Sequence, residues 1–455
     1  MKRSNASILL GINISFILLI FLEFLYLYTI ENSYNLFFRK FLDFQFLFVL
    51  GFSVMCGTIL LSFFQPYNIF LGTFFIFLGG RFFLDLFDLR DVMLMDRFIN
   101  FSLEGIEQVE LFKIMIFSVL FINLGFLVSN ILLNNKKVKK YTISKTDLKL
   151  KKIYKVLYEI FFCLEIYKKI ILFNFVKKNT YLSLYKLKID YPFFTKGSGT
   201  FLEITYMLFL LSRPKKKEFI LVSIQYIFIG FLEALSGSRS KFMVRILILL
   251  TYYFCEYKRS KKKNNYLFIG FILSFVIIFS QYINQARDGL KFNLTGVVFS
   301  FISQQGTSIN VLGTIIKFKD ELKEIIQFSI IPCIVEYGNT ELNGKSRALA
   351  HSLTYFLSPE RYLKGEGIGG SFLGEIVTLN SNTAFFLLLF LLGFFIFIIF
   401  KKRQENILYM GIYLILLSHI YYISRGNYFI NIWQLPSLIV VIIHYFLVKK
   451  LKGKK

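Results

Sequence analysis

The chain has 455 residues, of which 55% are hydrophobic and 18% charged. That apolar content is enough for about twelve membrane spans of ~20 residues, and it excludes a soluble enzyme, a disordered chain and a secreted disulfide scaffold. The formal charge is +26, from 54 Lys+Arg against 28 Asp+Glu. The lysines sit in short clusters between apolar runs, where they set membrane topology, so no nucleic-acid partner is implied.

In chain order, the apolar runs predict helical spans over 8–29, 44–64, 67–87, 111–134, 153–175, 198–212, 219–235, 241–256, 266–284, 384–400, 407–423 and 431–448. The first follows Met1-Lys2-Arg3, is too long for a signal-peptide core and reads as a retained span. The run 153–175 is weakened by Glu159, Glu165, Lys168 and Lys169, and 198–212 is short. Twelve spans put both termini on one side of the membrane. The basic clusters agree with that count: Lys2-Arg3, the loop 135–155 with nine lysines between Lys136 and Lys155, Arg213 to Lys217, Lys258 to Lys263, Lys401 to Arg403 and the tail from Lys449 all fall on one face. Positive residues mark the cytoplasmic face, so both termini are expected in the cytoplasm.

The loops of the opposite face are mixed in charge. The largest, 285–383, contains Val297–Ile302 and Ile325–Val335, apolar stretches too short to span and expected as interfacial or re-entrant helices. No internal repeat is visible, so the chain reads as one integral all-α membrane domain over 1–455. Four cysteines form no CxxC pair, and the three histidines have no metal-ligand spacing; no metal or other cofactor is expected.

Cationic side chains on the outer face are not explained by topology. Arg239 lies in Ser236-Gly-Ser-Arg-Ser240, Arg287 in Asn284-Gln-Ala-Arg-Asp-Gly289 and Arg425 in Ser424-Arg-Gly-Asn427. Three guanidinium forks gathered at headgroup level would hold a phosphate or pyrophosphate; each could equally snorkel to lipid phosphates. In the large loop, Gly365-Glu-Gly-Ile-Gly-Gly-Ser-Phe-Leu-Gly-Glu375 offers backbone amides for close approach to a ligand, with Gly369 and Ser371 within it. It lacks the GK[ST] of a nucleotide-binding loop. Glu375 is either a proton acceptor, a sugar ligand or an arginine partner. Gln305 and Tyr337 suit sugar hydroxyls or interfacial packing, and His351 is a loop histidine able to act as a base. Asp85, Asp88 and Asp91 share a helix face and read as a solvated acidic end, with Arg81, Arg90 and Arg97 near enough to neutralise them.

Taken in order, Ser236 to Ser240, Arg287, Ser303-Gln-Gln-Gly306, Leu357-Ser-Pro-Glu-Arg-Tyr362 with Arg361, the glycine-rich run to Glu375 and the late Ser-Arg-Gly-Asn turn resemble the Wzy-type O-antigen and oligosaccharide repeat-unit polymerases. The resemblance implies a GT-C-like, metal-independent glycosyltransferase in the bacterial inner membrane. Such an enzyme moves a growing glycan from undecaprenyl pyrophosphate to a hydroxyl of the next lipid-linked repeat. It implies Arg239, Arg287 and Glu375 as catalytic, with Arg425, Gln305, Tyr337, His351, Arg361, Gly369 and Ser371 binding substrate. The implied partners are the undecaprenyl-pyrophosphate-linked oligosaccharide, membrane lipids and a chain-length regulator protein. The competing readings are an O-antigen ligase acting on lipid A-core and a flippase of lipid-linked oligosaccharides.

Overall fold

A computed structural model of the chain describes residues 2–29, 36–89, 95–96, 99–100, 103, 105–133, 141, 145–179, 189–236, 239–257, 274–283, 285, 294, 296–322, 349–363, 367–429 and 434–453. Among the described residues the protein is all-helical apart from a two-residue antiparallel pairing of Met95–Asp96 with Ile99–Asn100. Among the described residues, seven helices are long and apolar enough to cross a membrane, so this is a polytopic membrane protein.

The chain groups into two compact units. Unit 1 comprises residues 1–137, 298–401 and 419–432. It holds α1 (Lys2–Thr29), α2 (Leu36–Leu60), α3 (Pro66–Phe74), α4 (Gly80–Leu86) and α5 (Ile106–Leu133). A π-helical turn, Phe75–Gly79, joins α3 to α4. Pro66 starts α3 at a position where a missing N–H costs nothing. With lipid as apolar as any leucine, helices associate by close packing and polar bonds, and the 58 phenylalanines serve the packing. Phe46 meets Phe82 edge-on with ring centres 5.5 Å apart, Phe82 lies 4.8 Å from Phe112, and Tyr67 stacks on Phe126 at 3.9 Å. The polar bonds come from a buried chain: Tyr67 donates to Asn123 Oδ1 (2.9 Å), and Asn123 donates to Asn13 Oδ1 (2.8 Å).

The other long helix of unit 1, α17 (Asn382–Lys402), crosses α5 at two glycines. A Cβ on Gly125 would overlap the Phe390 carbonyl, and one on Gly393 would overlap the Ile122 carbonyl. The two backbones therefore touch directly, in the manner of small-residue membrane crossings.

Unit 2 comprises 138–297, 402–418 and 433–455. It holds α6 (Lys145–Asn179), α7 (Ser198–Leu211), α8 (Lys216–Leu235), α9 (Arg239–Glu256), α10 (Ser274–Ile283), most of α18 (Ile407–Tyr422) and α19 (Leu435–Gly453). The weak runs at 153–175 and 198–212 are helical as expected, α6 being 35 residues long. Tyr154 of α6 bonds His444 of α19 at 2.7 Å, and Gly411 of α18 lets Val441 of α19 approach its backbone.

The large-loop stretch Val297–Ile302 forms α11 (Val297–Gln305), followed by α12 (Ser308–Lys317) and α13 (Lys319–Leu322). After these come α14 (Leu349–Leu357), α15 (Pro359–Leu363) and α16 (Phe372–Val377). Ile325–Val335 lies outside the described residues.

Candidate functional site

The site is built in unit 1 from irregular backbone. The π turn at Phe75–Gly79 ends in two glycines whose missing side chains admit neighbours: a Cβ on Gly79 would meet the Phe46 ring at 2.6 Å, and one on Gly80 would meet Ile302 Cγ2 at 2.5 Å. Single π turns inside helices recur at functional sites. Here the turn sets Arg81 against the end of α11. Arg81 is 8% exposed. Its Nε donates to the Ser303 carbonyl (3.1 Å) and its Nη1 to Asn310 Oδ1 (2.8 Å). Gly306 has no side chain where one would press on Arg81 Cγ at 2.9 Å. The turn Gln304-Gln305-Gly306 between α11 and α12 is thus pinned from below by a buried cation.

Gln305 Oε1 in turn accepts a hydrogen bond from Arg425 Nη1 at 3.0 Å. Arg425 ends a 3-10 turn, Ile423–Arg425, that follows α18. Gln305 is its only hydrogen-bond partner among the described residues, which leaves the rest of the guanidinium fork available to an anion. The glycine-rich run packs on the same turn. Gly369 adopts φ +84°, a left-handed conformation that disfavours any residue with a side chain, and a Cβ there would lie 3.8 Å from Arg425 Nε. Ser371 caps α16, its oxygen accepting from Gly374 N at 3.5 Å.

Glu375, on α16, is 8% exposed and accepts a hydrogen bond from the Tyr428 backbone N–H at 2.8 Å. Tyr428 is fixed at two further points: its hydroxyl donates to the Leu388 carbonyl (2.6 Å), and its own carbonyl accepts from His419 Nε2 (2.9 Å). Its ring stacks near Phe372 with centres 6.4 Å apart. Burial pushes the Glu375 carboxyl up to about 8, against a smaller downward pull from the Tyr428 N–H. A carboxyl that titrates near neutral pH is suited to accept and return a proton.

The structure therefore brings Gln305, Arg425, Gly369, Ser371 and Glu375 to neighbouring turns of unit 1. His351 Nδ1 lies 3.3 Å from the Tyr362 hydroxyl, joining α14 to α15, which carries Arg361. The glycine-rich run is tied to α14 by Ile368 N donating to Thr354 Oγ1 (3.3 Å). Arg239 opens α9 with its side chain outside the described residues, and Arg287 and Tyr337 also lie outside them.

Two features were not visible in the sequence reading. The acidic helix end was read as solvated, with Arg81 near enough to neutralise it. Asp85 is buried and pairs with Arg39 of α2 (2.6 Å), Lys40 pairs with Asp88 (2.5 Å), and Arg81 also holds the glutamine turn. The signal available was an arginine inside an apolar run, which is functional by default. In unit 2, Glu165 and Lys169, read only as weakening one span, join Glu203, Glu233 and Arg245 in a largely buried ionic network. Lys169 bridges Glu165 (2.8 Å) and Glu233 (2.9 Å), and Arg245 bridges Glu233 (3.0 Å) and Glu203 (2.7 Å). The two cations from α6 and α9 offset the buried Glu165 and Glu233, where isolated charges would be prohibitive, and the more exposed Glu203 of α7 completes the chain. Arg245 also lies over the Tyr226 ring at 4.7 Å.

Comparison with known proteins adds to this geometry. Neither the comparison with curated proteins nor that with solved structures found a match. The family model described as O-antigen polysaccharide polymerase Wzy matches residues 11–455, nearly the whole chain. Its members are glycosyltransferase-type polymerases of O-antigen repeat units, acting on lipid-linked oligosaccharides in the bacterial inner membrane, which agrees with the apolar helices and with a guanidinium and a buried carboxyl on adjacent turns. The chain belongs to the O-antigen polysaccharide polymerase Wzy family.

Proposed function

We propose that the chain transfers the growing glycan from undecaprenyl pyrophosphate to a hydroxyl of the next lipid-linked repeat, on the extracytoplasmic face, with both termini in the cytoplasm. The observation that carries this is the Glu375 carboxyl, buried and held on Tyr428 N–H beside the turn of Arg425. In the reaction, the acceptor oxygen forms a bond to the donor's anomeric carbon as the bond from that carbon to the pyrophosphate oxygen breaks. The hydroxyl proton passes to Glu375, and the electron pair of the broken bond leaves on the lipid pyrophosphate.

The leaving group gathers negative charge, and preorganised donors stabilise it most where water is scarce. Arg425 supplies such donors, with Gln305 fixing its orientation through Nη1. Arg239 and Arg287 are assigned to phosphate binding on sequence position alone, each at the outer end of an expected span. Gly369 and Ser371 shape the backbone against which the sugar rests; His351, Arg361 and Tyr337 are assigned to further sugar contacts. Because guanidinium groups carry the neutralisation, turnover is expected to persist in the presence of a chelator. The donor is already activated, so no nucleotide sugar is consumed.

The test is elongation of purified lipid-linked repeats by the purified protein without nucleotide sugar or added metal. Arg425→Ala is expected to lower the rate by about 10²–10³-fold, as loss of a charge-stabilising donor does elsewhere. Long glycan formed at the wild-type rate by Arg425→Ala, Arg239→Ala and Arg287→Ala alike would remove the arginines from the mechanism. Attachment of product to lipid A-core would make the protein a ligase.

A further inference from the structure

Unit 1 contains a cavity of about 180 Å3 that the chemistry above does not use. It opens among the first turns of α5, the end of α16 and the start of α17. Two cations line it, Lys113 and Lys319, together with the polar turn Asn380-Ser381-Asn382 and the rings of Phe385 and Phe386. Asn380 adopts φ +53°, closing a tight α16–α17 turn, and Ser381 Oγ accepts from Ala384 N at 3.3 Å. Glu110, the one carboxylate in the lining, accepts the Tyr28 hydroxyl and sits 3.3 Å from Lys113. The nearby Glu107 is taken by Lys317 at 3.1 Å. Lys319 has no ion-pair partner among the described residues. The lining therefore carries one positive charge in excess, beside amides, a hydroxyl and an aromatic wall.

Those groups match one ligand chemistry. Lysines pair with a carboxylate. Side-chain amides and a serine hydroxyl meet ring hydroxyls. Phenylalanine rings cover the C–H face of a sugar. A bare phosphate would leave the amides and rings unused. The volume falls below the roughly 300–1,000 Å3 of sites for drug-sized ligands, so it accommodates a single ring. Ile376 and Val377 line the cavity immediately after Glu375, which places the pocket next to the proposed proton acceptor.

We propose that this cavity is a subsite for a uronic-acid-type sugar of the lipid-linked repeat, adjacent to the reacting hydroxyl. The inference rests on the polymerase reading above and adds the class of sugar that the site selects. The probe is methyl β-glucuronide, titrated against the purified full chain in zwitterionic nanodiscs and compared with methyl β-glucoside and inorganic phosphate. The glucuronide is expected to bind about tenfold more tightly than the glucoside, the scale of one charge-assisted hydrogen bond. Lys319→Gln, at an exposed position, should cut that preference several-fold without changing the melting temperature, and Lys319→Arg should restore it. Lys113→Gln combined with Lys319→Gln should abolish it. Equal affinity for the two glycosides, no glucuronide binding, a preference untouched by Lys319→Gln, or displacement by phosphate at equal concentration would each overturn the subsite. Elongation assayed on the same preparation keeps the two readings apart. Elongation without a glucuronide preference defeats the subsite alone, and a preference without elongation defeats the polymerase reading alone.

Discussion

Replacing Glu375 by glutamine gives the most direct measure of the site. The carboxyl is buried and titrates at about 8, where an ordinary glutamate titrates near 4.5. At about 1.36 kcal/mol for each pH unit, ionising it in place costs about 5 kcal/mol more than in water. Because the folded pKa is raised, the folded state holds this proton where the unfolded chain has released it. Stability is therefore greatest at low pH and falls as the pH rises from about 4.5 to about 8. Between pH 6 and pH 9 the linkage relation gives a loss of about 2–3 kcal/mol from this one group. Glu375→Gln keeps an oxygen to accept the Tyr428 N–H and removes the titration. Thermal unfolding in detergent, followed at several pH values, should show the wild type losing stability with rising pH more steeply than the variant, by a few degrees in melting temperature. In the elongation assay, the wild-type rate should climb with pH up to about 8 as the base ionises, while Glu375→Gln should be lower by about 10²–10⁴-fold. Superimposable stability profiles for the two proteins, together with an unchanged rate in the variant, would refute both the burial argument and the assignment of the base.

Three further outcomes follow from the packing. Gly393→Val places carbon where the Ile122 carbonyl already lies; overpacking of this kind costs about 1–3 kcal/mol, visible as a lowered melting temperature, whereas the same change at Gly51, which has open space around it, should be silent. Arg245→Ala removes the cation shared by Glu233 and Glu203; because Glu233 keeps Lys169, the loss is expected at about 1–3 kcal/mol, below that of a fully broken buried pair, measurable as a lowered melting temperature, and an equally stable variant would mean that the network is solvated. Arg81→Ala strips donors from the Ser303 carbonyl and Asn310 Oδ1, about 1–3 kcal/mol for groups left unsatisfied in the interior, and should slow elongation by loosening Gln305 while leaving binding of lipid-linked repeat largely intact.

Hydropathy made the helices legible because a span is a local property of about twenty residues. The run 384–400 lies within α17 (Asn382–Lys402), and the run 407–423 nearly coincides with α18 (Ile407–Tyr422). The run 67–87 was equally clear, but its π turn was not: a π turn is fixed by what packs on it, here Phe46 and Ile302, and neither is near it in sequence. Gln305, Arg425, Gly369 and Glu375 stood out as polar or glycine residues with no topological task. Their pairing could not be read, since the Arg425–Gln305 bond joins residues 120 apart and the Tyr428–Glu375 bond residues 53 apart. Arg81 and the Lys169–Arg245 network were hidden for the opposite reason. Their partners lie on other helices, a backbone carbonyl and an amide for Arg81 and carboxylates for Lys169 and Arg245, so the one-dimensional pattern did not show the pairings.

The crossing at Gly125 and Gly393 has a consequence for how such an enzyme can change. A contact made by main chain on main chain does not depend on which side chains surround it, so the crossing of α5 and α17 is insulated from exchanges along the α16–α17 turn. Substitutions along that turn and its cavity can then retune which sugar is accepted without disturbing the helices that carry them. If the cavity selects the sugar as proposed, grafting residues 376–386 between related chains is the natural way to exchange specificities.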